Sequence, residues 1–367
     1  MESTPDLPPH ARPRIAVVGL GLIGRRHLDL VLRHPYCQPA AVVDPDPAAS
    51  ATADDLGVRW FAALDALLAS DPLPDGAIIA TPNALHREHA ERCIAAGVPI
   101  LVEKPIATSV TDGLAIAEAA AGAGVPLLVG HHRRHSPIIT AARDVIRSGA
   151  LGEVVAASTT TLFAKPAEYF EAAAWRREPG GGPILINLIH DVDALRHLIG
   201  EIVDVQALAS SHVRNRPVEE TVAVNLRFAS GALGSLLLSD AAASPLSWEL
   251  TAGEDPAFPR YPDHDPTVIA GSQGTLGLPS LRLLRYPEQP SWRLPLEASV
   301  VSVQAADPLT RQLEHFLRVI ERRDAPLVSG PDAVESLRVT LAVTAAIASG
   351  ATVSCAPPGL DRVADRS

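Results

Sequence analysis

The sequence predicts an α/β protein that begins with a doubly wound parallel sheet and continues into a second domain with a large, mostly antiparallel sheet. From Arg14 onward, short β-branched runs alternate with Ala-rich helical stretches about every 25 to 35 residues, which is typical of βαβ units. After Gly130 the runs follow one another through tight turns, as in antiparallel sheets. At roughly 150 residues per domain, a chain of 367 residues also favours two domains over one.

The first domain is expected to span residues 13–130. Its strand candidates are short and nearly continuous in apolar character, as expected where helices cover both faces of a sheet. They are Ile15 to Val18, Ala40 to Val43, Gly76 to Ala80, Ile100 to Val102 and Leu127 to Val129. Ala84 to Ala96 and Val110 to Ala123 are predicted to be helices, because each is followed by a Gly and then closely by a Pro.

The second domain is expected to span residues 131–355, between flexible tails at 1–12 and 356–367. Its predicted strands are Val154 to Thr161, Val203 to His212, Thr221 to Phe228 and Leu233 to Ser239. Its predicted helices are Ile138 to Ser148, Asn187 to Ile199, Pro308 to Arg322 and Pro331 to Ser349. The segment from Gly253 to Asp265, which is dense in Pro and acids, is expected to be a surface loop.

The composition excludes several classes of protein. A formal charge of −11 without a long basic run argues against nucleic-acid binding, and 47% apolar against 20% charged residues indicates ordered cores. No apolar stretch reaches the roughly 20 residues of a membrane span, and the first 12 residues lack the pattern of a signal peptide. Cys37, Cys93 and Cys355 are too dispersed for a disulfide framework or a zinc site, so a cytoplasmic location is expected.

The strongest local motif is Gly19-Leu20-Gly21-Leu22-Ile23-Gly24, which follows the first strand and opens a helix. In that context the first Gly makes the tight turn, the second lets the backbone approach a pyrophosphate, and the third permits close contact between helix and strand. Asp44 ends the second strand 20 residues later, where a carboxylate accepts hydrogen bonds from the adenosine ribose. Because that carboxylate would repel a 2′-phosphate, and Pro45-Asp46-Pro47 offers no Arg, NAD is favoured over NADP.

Further motifs follow at the ends of later parallel strands, where such sheets bind ligands. They are Ala80-Thr81-Pro82-Asn83 with His86, and Glu103-Lys104-Pro105. Together with the glycine-rich motif, their order and spacing resemble the Gfo/Idh/MocA family of nicotinamide-dependent oxidoreductases. The second half also resembles this family, in Gly180-Gly181-Gly182-Pro183, in the run from Asn187 to Asp193, and in the segments 326–330 and 336–338.

The resemblance implies an N-terminal Rossmann domain, a C-terminal α+β domain with an open-faced sheet, and a homodimer or homotetramer assembled through that face. It implies that Lys104 contacts the reacting hydroxyl and the nicotinamide ribose, that the proline after it is cis, and that His190 is a general acid/base. Either Lys104 or His190 can take the proton while the other polarises the oxygen. The implied cofactor-binding residues are Gly19, Gly21, Leu22, Ile23, Gly24, Asp44, Thr81, Pro82, Asn83, His86, Glu103 and Lys104.

One departure from the family pattern concerns the position four residues before His190, where many members carry an Asp. Here that position is Ile186, and Asn187 is expected to supply the polar contact from one position along. Asp193 has two interpretations of equal weight, an acid that orients the His190 imidazole and an ordinary surface or capping acid. The changed residue puts a strict inositol-type or glucose-type assignment in doubt.

Two further clusters have a functional and a simpler interpretation. His86-Arg87-Glu88-His89 and the run from His131 to His135 do not fit a zinc pattern, so no metal site is expected. The 131–135 run is either a solvated linker or, with Trp175-Arg176-Arg177, a basic rim that binds an anionic substrate. The expected substrate-binding residues are Lys104, Arg133, Trp175, Arg176, Asn187 and His190. Ser272 is expected to lie in a turn, because it lacks the surroundings of a nucleophile.

The sequence therefore predicts an NAD-dependent dehydrogenase that oxidises a secondary alcohol of a sugar, sugar acid or cyclitol to a ketone. The expected partner is a small cyclic alcohol, and neither nucleic acid nor membrane. The alternatives are a dehydrogenase of a carboxylated cis-dihydrodiol, a glycoside hydrolase that uses NAD without net oxidation, and a sensor that binds NAD without turnover.

Overall fold

The computed structural model describes residues 12–178 and 180–356, and these residues form two compact units. The first unit comprises the described residues up to His132 together with Leu309–Val334, and the second comprises Arg133–Pro308 and the described residues from Glu335. The segment 309–334 was expected in the second domain, whereas the structure places it in the first unit. Residues 1–11 and 357–367 of the expected tails lie outside the described residues.

The first unit is built on a six-stranded parallel sheet in the order β3-β2-β1-β4-β5-β6. Its strands are β1 (Arg14–Val18), β2 (Gln38–Val43), β3 (Trp60–Phe61), β4 (Gly76–Ile79), β5 (Ile100–Glu103) and β6 (Leu127–Gly130). Its helices are α1 (Leu22–Arg33), α2 (Pro47–Asp55), α3 (Leu64–Leu68), α4 (His86–Ala95), α5 (Val110–Ala123) and α10 (Pro308–Ile320). The order reverses beside β1, so the carboxyl ends of β1 and β4 flank the crevice where such sheets bind dinucleotides.

The segment that returns late in the chain is part of the first unit's packing. A Cβ on Gly76 would lie 2.6 Å from Cδ1 of Ile320, and a Cβ on Gly330 would lie 2.7 Å from Cβ of Ala117. The amide of Val129 also donates a hydrogen bond to the carbonyl of Val328. The helix predicted at 308–322 therefore exists, and it covers the parallel sheet.

The second unit carries a nine-stranded sheet in the order β14-β13-β12-β11-β7-β10-β9-β8-β15. Its strands are β7 (Val154–Leu162), β8 (Ile202–Ser210), β9 (Thr221–Phe228), β10 (Leu233–Ser239), β11 (Thr267–Gly271), β12 (Gly274–Leu278), β13 (Arg282–Arg285), β14 (Glu297–Val300) and β15 (Val353–Ser354). All neighbouring pairs are antiparallel except β7 and β10. The prediction of a mostly antiparallel sheet is confirmed.

Helices cover one face of this sheet. They are α6 (Pro137–Arg147), α7 (Ala167–Glu171), α8 (Ile189–Ile199) and α9 (Trp248–Thr251), and α11 (Gly330–Ser349) continues into this unit from the first. Helix α6 begins where Ser136 accepts hydrogen bonds from two backbone amides and a Pro occupies the first turn, which is a strong start signal. Alternate residues of β9, such as Val222 and Val224, pack with α6 and α8 in one apolar core.

The opposite face of the sheet is open. Leu208, Ala223 and Leu237 lie in one row across β8, β9 and β10, and Leu208 is 76% exposed. The alternation of buried and exposed residues along β9 and β10 is the period of two expected when only one face is covered.

Candidate active site

The glycine-rich turn between β1 and α1 has a close-packed side and an open side. A Cβ on Gly19, whose φ is +93°, would lie 2.7 Å from the carbonyl oxygen of Ala80, and a Cβ on Gly24 would lie 1.9 Å from the carbonyl oxygen of Gly19. A Cβ on Gly21 would meet nothing within 4 Å among the described residues. The outer two glycines therefore permit close packing, while Gly21 leaves space through which a ligand can approach the backbone.

The start of α1 is suited to an anion. Gly21 is its N-cap, no described side chain caps it, and Leu22 at the first helical position is 78% exposed. The first amides of a helix lack intrahelical partners and carry partial positive charge, so they bind phosphates. Arg25, which the sequence analysis did not single out, donates from Nε to the carbonyl of Leu20 at 3.1 Å and holds a guanidinium beside the turn. These residues fit the pyrophosphate of a dinucleotide.

Asp44 follows β2 and is bound to the same turn. Its Oδ2 accepts a hydrogen bond from the amide of Leu20 at 2.6 Å, and its Oδ1 accepts from the amide of Asp46 at 2.9 Å. Its backbone carbonyl accepts from the indole of Trp60 at 3.0 Å. The carboxylate is thus fixed beside the turn, and its remaining lone pairs are available to ribose hydroxyls.

The loop after β4 contains Thr81, Pro82 and Asn83, and it is tied to the loop after β5. Nε2 of His86 lies 2.9 Å from the carbonyl oxygen of Thr81, and Nδ1 lies 2.9 Å from that of Pro105. The ring is fully buried, and burial lowers the pKa of His86 although both carbonyls oppose the shift. Both ring nitrogens lie at hydrogen-bond distance from backbone carbonyls, so His86 joins the two loops, and its contact with the cofactor stays a prediction.

Lys104 stands at the end of β5, and the bond to Pro105 is cis, as the resemblance implies. Glu103 beside it is buried; its Oε1 lies 2.8 Å from Nε2 of His27 on α1, and its Oε2 accepts from the amide of Lys104 at 3.2 Å. Burial alone would raise the pKa of Glu103, but the hydrogen bond and charge of His27, with Lys104 and His132, lower it to about 2. Glu103 therefore positions the backbone of Lys104, and its contact with the cofactor stays a prediction.

In the second unit, His190 lies in the first turn of α8 and is buried. A π-helical turn, Ile184–Leu188, precedes it, and such turns are frequent at functional sites. Asp191, the next residue, binds Arg133 at 2.6 Å and Thr161 at 2.8 Å. The turn of helix that carries His190 is therefore fixed by a buried ion pair.

A second ion pair holds α8 two residues further along the helix. Arg134 donates from Nε and Nη2 to the carboxylate of Asp193 at 2.8 and 2.6 Å, and Ser336 donates to it at 2.7 Å. Asp193 is buried, so its interpretation as a surface or capping acid is wrong. Its action on the His190 imidazole stays a prediction.

The expected basic rim does not form. Arg133 is buried and bound by Asp191 and by Glu249 at 2.7 Å, and both carboxylates hold its pKa above the ordinary value despite burial, which lowers it. Arg133 and Arg134 are therefore neutralised inside the unit, so they are not a solvated linker and do not contribute to a basic rim, whereas a substrate contact by Arg133 stays a prediction. Arg176 stacks 4.1 Å from the ring of Tyr169 and donates to its carbonyl. Trp175 is 46% exposed.

Asn187 lies in the π-helical turn, three residues before His190, and it has a partner that the sequence analysis missed. Its Oδ1 accepts a hydrogen bond from Nζ of Lys165 at 2.7 Å, and the same Nζ lies 3.2 Å from Oδ2 of Asp240. Burial lowers the pKa of Lys165, and Asp240 opposes that shift. A signal was present in the sequence, because Lys104 and Lys165 are the only two lysines of the chain.

Other candidate groups take no part in chemistry that the structure indicates. Ser272 lies in the turn between β11 and β12, as predicted. Burial raises the thiol pKa of each cysteine to about 12, which disfavours a thiolate nucleophile. In the described part of the chain no group of three or more potential ligand side chains is placed to hold a metal ion, and no helix is long and apolar enough to cross a bilayer.

Two family models match the chain. The model described as "Oxidoreductase family, NAD-binding Rossmann fold" covers residues 13–131, and the "GFO/IDH/MocA C-terminal domain" covers residues 139–276. The first unit thus contains an NAD-binding Rossmann domain, and the glycine-rich turn and Asp44 lie within the match.

Curated relatives and solved structures agree with these matches. A 1,5-anhydro-D-fructose reductase from Ensifer adhaerens is 32% identical to this chain, and the alignment covers 77% of this chain and 80% of that protein. The scyllo-inositol 2-dehydrogenase (NAD(+)) from Bacillus subtilis is 27% identical, and the alignment covers 93% of this chain and 95% of that protein. The WlbA dehydrogenase from Bordetella pertussis, solved with NADH and UDP-GlcNAcA, has a similar fold, with a TM-score of 0.75 at 24% identity over 94% of this chain and 99% of that one. The chain therefore belongs to the Gfo/Idh/MocA family of NAD-binding oxidoreductases.

Proposed function

We propose that this protein is an NAD-dependent dehydrogenase that oxidises a secondary alcohol of a sugar, sugar acid or cyclitol to a ketone. The observation that carries the proposal is the placement of Lys104 on the cofactor-binding edge of the sheet. The glycine-rich turn follows β1, and Lys104 follows β5, two strands away in the order β1-β4-β5. At about 4.8 Å per strand spacing, the two features are roughly 10 Å apart along the edge, which suits a dinucleotide with its pyrophosphate at the turn and its nicotinamide near Lys104.

The chain's own residues supply binding and proton handling. A bound nicotinamide would supply the acceptor for the hydride that leaves the carbinol carbon of the substrate. We assign Lys104 and His190 to the hydroxyl proton: an ammonium stabilises the developing alkoxide, and a neutral imidazole accepts a proton near physiological pH. Both groups are supported from behind, Lys104 by Glu103 and the helix turn of His190 by Asp191 bound to Arg133.

The preference for NAD rests on Asp44. Its carboxylate is held beside the turn by the amides of Leu20 and Asp46, where a 2′-phosphate would meet a fixed negative charge. We therefore expect kcat/KM to favour NAD over NADP, and Asp44→Ser to reduce that preference at least about tenfold. An equal preference in both proteins would contradict this role of Asp44.

A screen for NADH formation with sugars, sugar acids and inositols tests the activity itself. With a substrate in hand, we expect Lys104→Ala and His190→Ala to lower kcat at least about 100-fold, and His190→Ala to leave NAD affinity nearly unchanged. His197→Ala, on the same helix as His190, is the matched control and should keep kcat within about threefold of the unaltered protein. Near-normal turnover in either Ala variant would overturn the assignment.

We also propose that a second copy of this chain docks on the open sheet face. The row Leu208, Ala223 and Leu237 presents apolar side chains on a face where one copy can meet another across strands. Light scattering should give a dimer or larger, and Leu208→Arg should reduce the mass of the assembly. A monomeric unaltered protein would contradict the proposal.

The three cysteines of the chain are free, as is usual in a reducing cytosol, and we propose that the enzyme is located there.

A further inference from the structure

Lysine is nearly absent from this chain, although basic residues are not. Of the 31 lysines and arginines, 29 are Arg, and the two lysines are Lys104 and Lys165. An Arg guanidinium keeps its charge and a planar fork of donors, whereas a Lys amine is compact, donates in three directions and loses its proton readily when buried. One of the two lysines lies in the motif that carries the proposed chemistry, so the environment of the other is informative.

Lys165 is fixed both by its backbone and by its side chain. It follows β7, and its amide donates to the carbonyl of Asp240 at 2.9 Å. Its side chain is 9% exposed, with Nζ 2.7 Å from Oδ1 of Asn187, 3.2 Å from Oδ2 of Asp240 and 4.8 Å from the ring centre of Tyr169. An ammonium has three N–H groups, and among the described residues these two oxygens account for two of them.

The carboxylate beside Lys165 balances the positive charge of the amine only in part. Asp240 also binds Nη1 of Arg214, so one buried carboxylate serves two cations. Burial works in the same direction, because it penalises the charged amine unless a further acceptor compensates. The remaining N–H of Lys165 is therefore suited to an oxygen atom that a ligand brings.

Asn187 links this amine to the proposed reaction centre. It lies in the π-helical turn three residues before His190, so the two residues are within about one helical turn of each other. A donor bound to Asn187 is therefore within reach of an oxygen one or two carbons away from a carbinol that meets His190. A polyol has hydroxyls at that separation, whereas a simple alcohol does not.

We propose that Lys165, held by Asn187 and Asp240, donates a hydrogen bond to a second hydroxyl of the substrate and selects polyols over alcohols that lack that hydroxyl. This inference rests on the proposed dehydrogenase function. Lys165 is then a specificity-determining residue. It makes the polar contact with the substrate that the sequence analysis expected from Asn187.

The test compares a polyol that the unaltered enzyme oxidises with the deoxy analogue lacking the second hydroxyl. We expect the enzyme to favour the polyol in kcat/KM by at least about 100-fold, and Lys165→Met to abolish most of that preference by slowing only the polyol. Arg227→Met alters an exposed arginine on β9 and should preserve the preference. An equal loss on both substrates in Lys165→Met would show a structural role and overturn the proposal. If the Met variant does not fold, Lys165→Gln, which also removes the ammonium, serves in its place.

A measurement without turnover separates this inference from the proposed function. Protein labelled with 13C at the lysine Cε has two side-chain signals, and Lys165→Arg identifies the one from Lys165. With NAD present, we expect the polyol to shift that signal and the deoxy analogue to leave it unchanged. If the screen finds no substrate, the dehydrogenase proposal fails, and myo-inositol and D-glucose become the probes: a shift upholds the Lys165 contact, and no shift with either one overturns it.

Discussion

The two units of the molecule hold their polar groups in different ways. In the first unit the cofactor-binding turn is made of backbone, with Gly19 and Gly24 packed closely and the amide of Leu20 bound by Asp44. In the second unit the buried polar groups are long side chains in pairs, such as Arg134 with Asp193. The first arrangement leaves amides for an external anion, whereas the second satisfies its charges internally and fixes a helix.

This difference predicts different responses to mutation. A backbone turn is damaged when atoms are added, because there is no side chain to remove and no room for one. A buried ion pair is damaged when one partner is removed, because the other charge stays buried without compensation. The following predictions test this contrast, from the largest expected effect to the smallest.

The largest effect is expected in the second unit. Arg134→Leu removes the guanidinium that pairs with the buried carboxylate of Asp193, while Ser336 still donates to that carboxylate. The change should lower the free energy of unfolding by about 3–5 kcal/mol. Urea denaturation measures the change. The matched control is Arg227→Leu, which alters an exposed arginine on β9 that lies 3.6 Å from Asp204 on β8. It should lower the free energy of unfolding by less than about 1 kcal/mol. Equal losses would remove the distinction between buried and exposed pairs.

In the first unit, adding one methyl group at two glycines should give two different results. Gly24→Ala puts a Cβ against the carbonyl oxygen of Gly19 and should destabilise the protein by about 3 kcal/mol, although Ala is otherwise the better helix former. Gly21→Ala meets no described atom, so stability should hold while NAD affinity falls at least about tenfold. Calorimetric titration with NAD and urea denaturation separate the outcomes. Unchanged NAD affinity in Gly21→Ala would contradict the role given to that open space.

The buried pair of the first unit predicts a dependence on pH. The pKa of Glu103 is about 2 in the folded protein against 4.5 for a free side chain, so its ionisation stabilises the fold above pH 4.5, and this contribution is lost as pH falls towards 2. By pH 3 about 2 kcal/mol of it should be gone. The stability difference between unaltered protein and Glu103→Gln should therefore shrink by that amount between pH 7 and pH 3, and a constant difference would refute the pairing.

The local part of the fold and of the site follows from the sequence. The turn from Gly19 to Gly24 and the strand pairs β9 and β10 depend on spacing within a few residues, and Thr221–Phe228 and Leu233–Ser239 coincide with their predicted bounds. The roles of Glu103 and His86 did not follow. Their partners, His27 and the carbonyls of two loops, are brought together by the order of strands in the sheet, which no local pattern encodes.

The second unit shows why the remainder escaped prediction. Arg133 and Arg134 form an exposed-looking basic run, but their acids lie 58 and 59 residues away on α8. The strands β11 to β14 were not predicted because each has only four or five residues and none is a continuous apolar run like the strands of the first unit. Burial reverses the meaning of a charge, and burial is set by packing between distant segments.

The return of residues 309–334 to the first unit has a consequence for how the protein can be made. During synthesis the parallel sheet emerges from the ribosome long before α10. Gly76 on β4 therefore lacks its packing partners Phe316 and Ile320 until most of the second unit has been translated. A gene fragment ending at residue 132 would encode every strand of that sheet and still lack part of its cover. A fragment that also includes 309–334 would contain all the segments of the first unit.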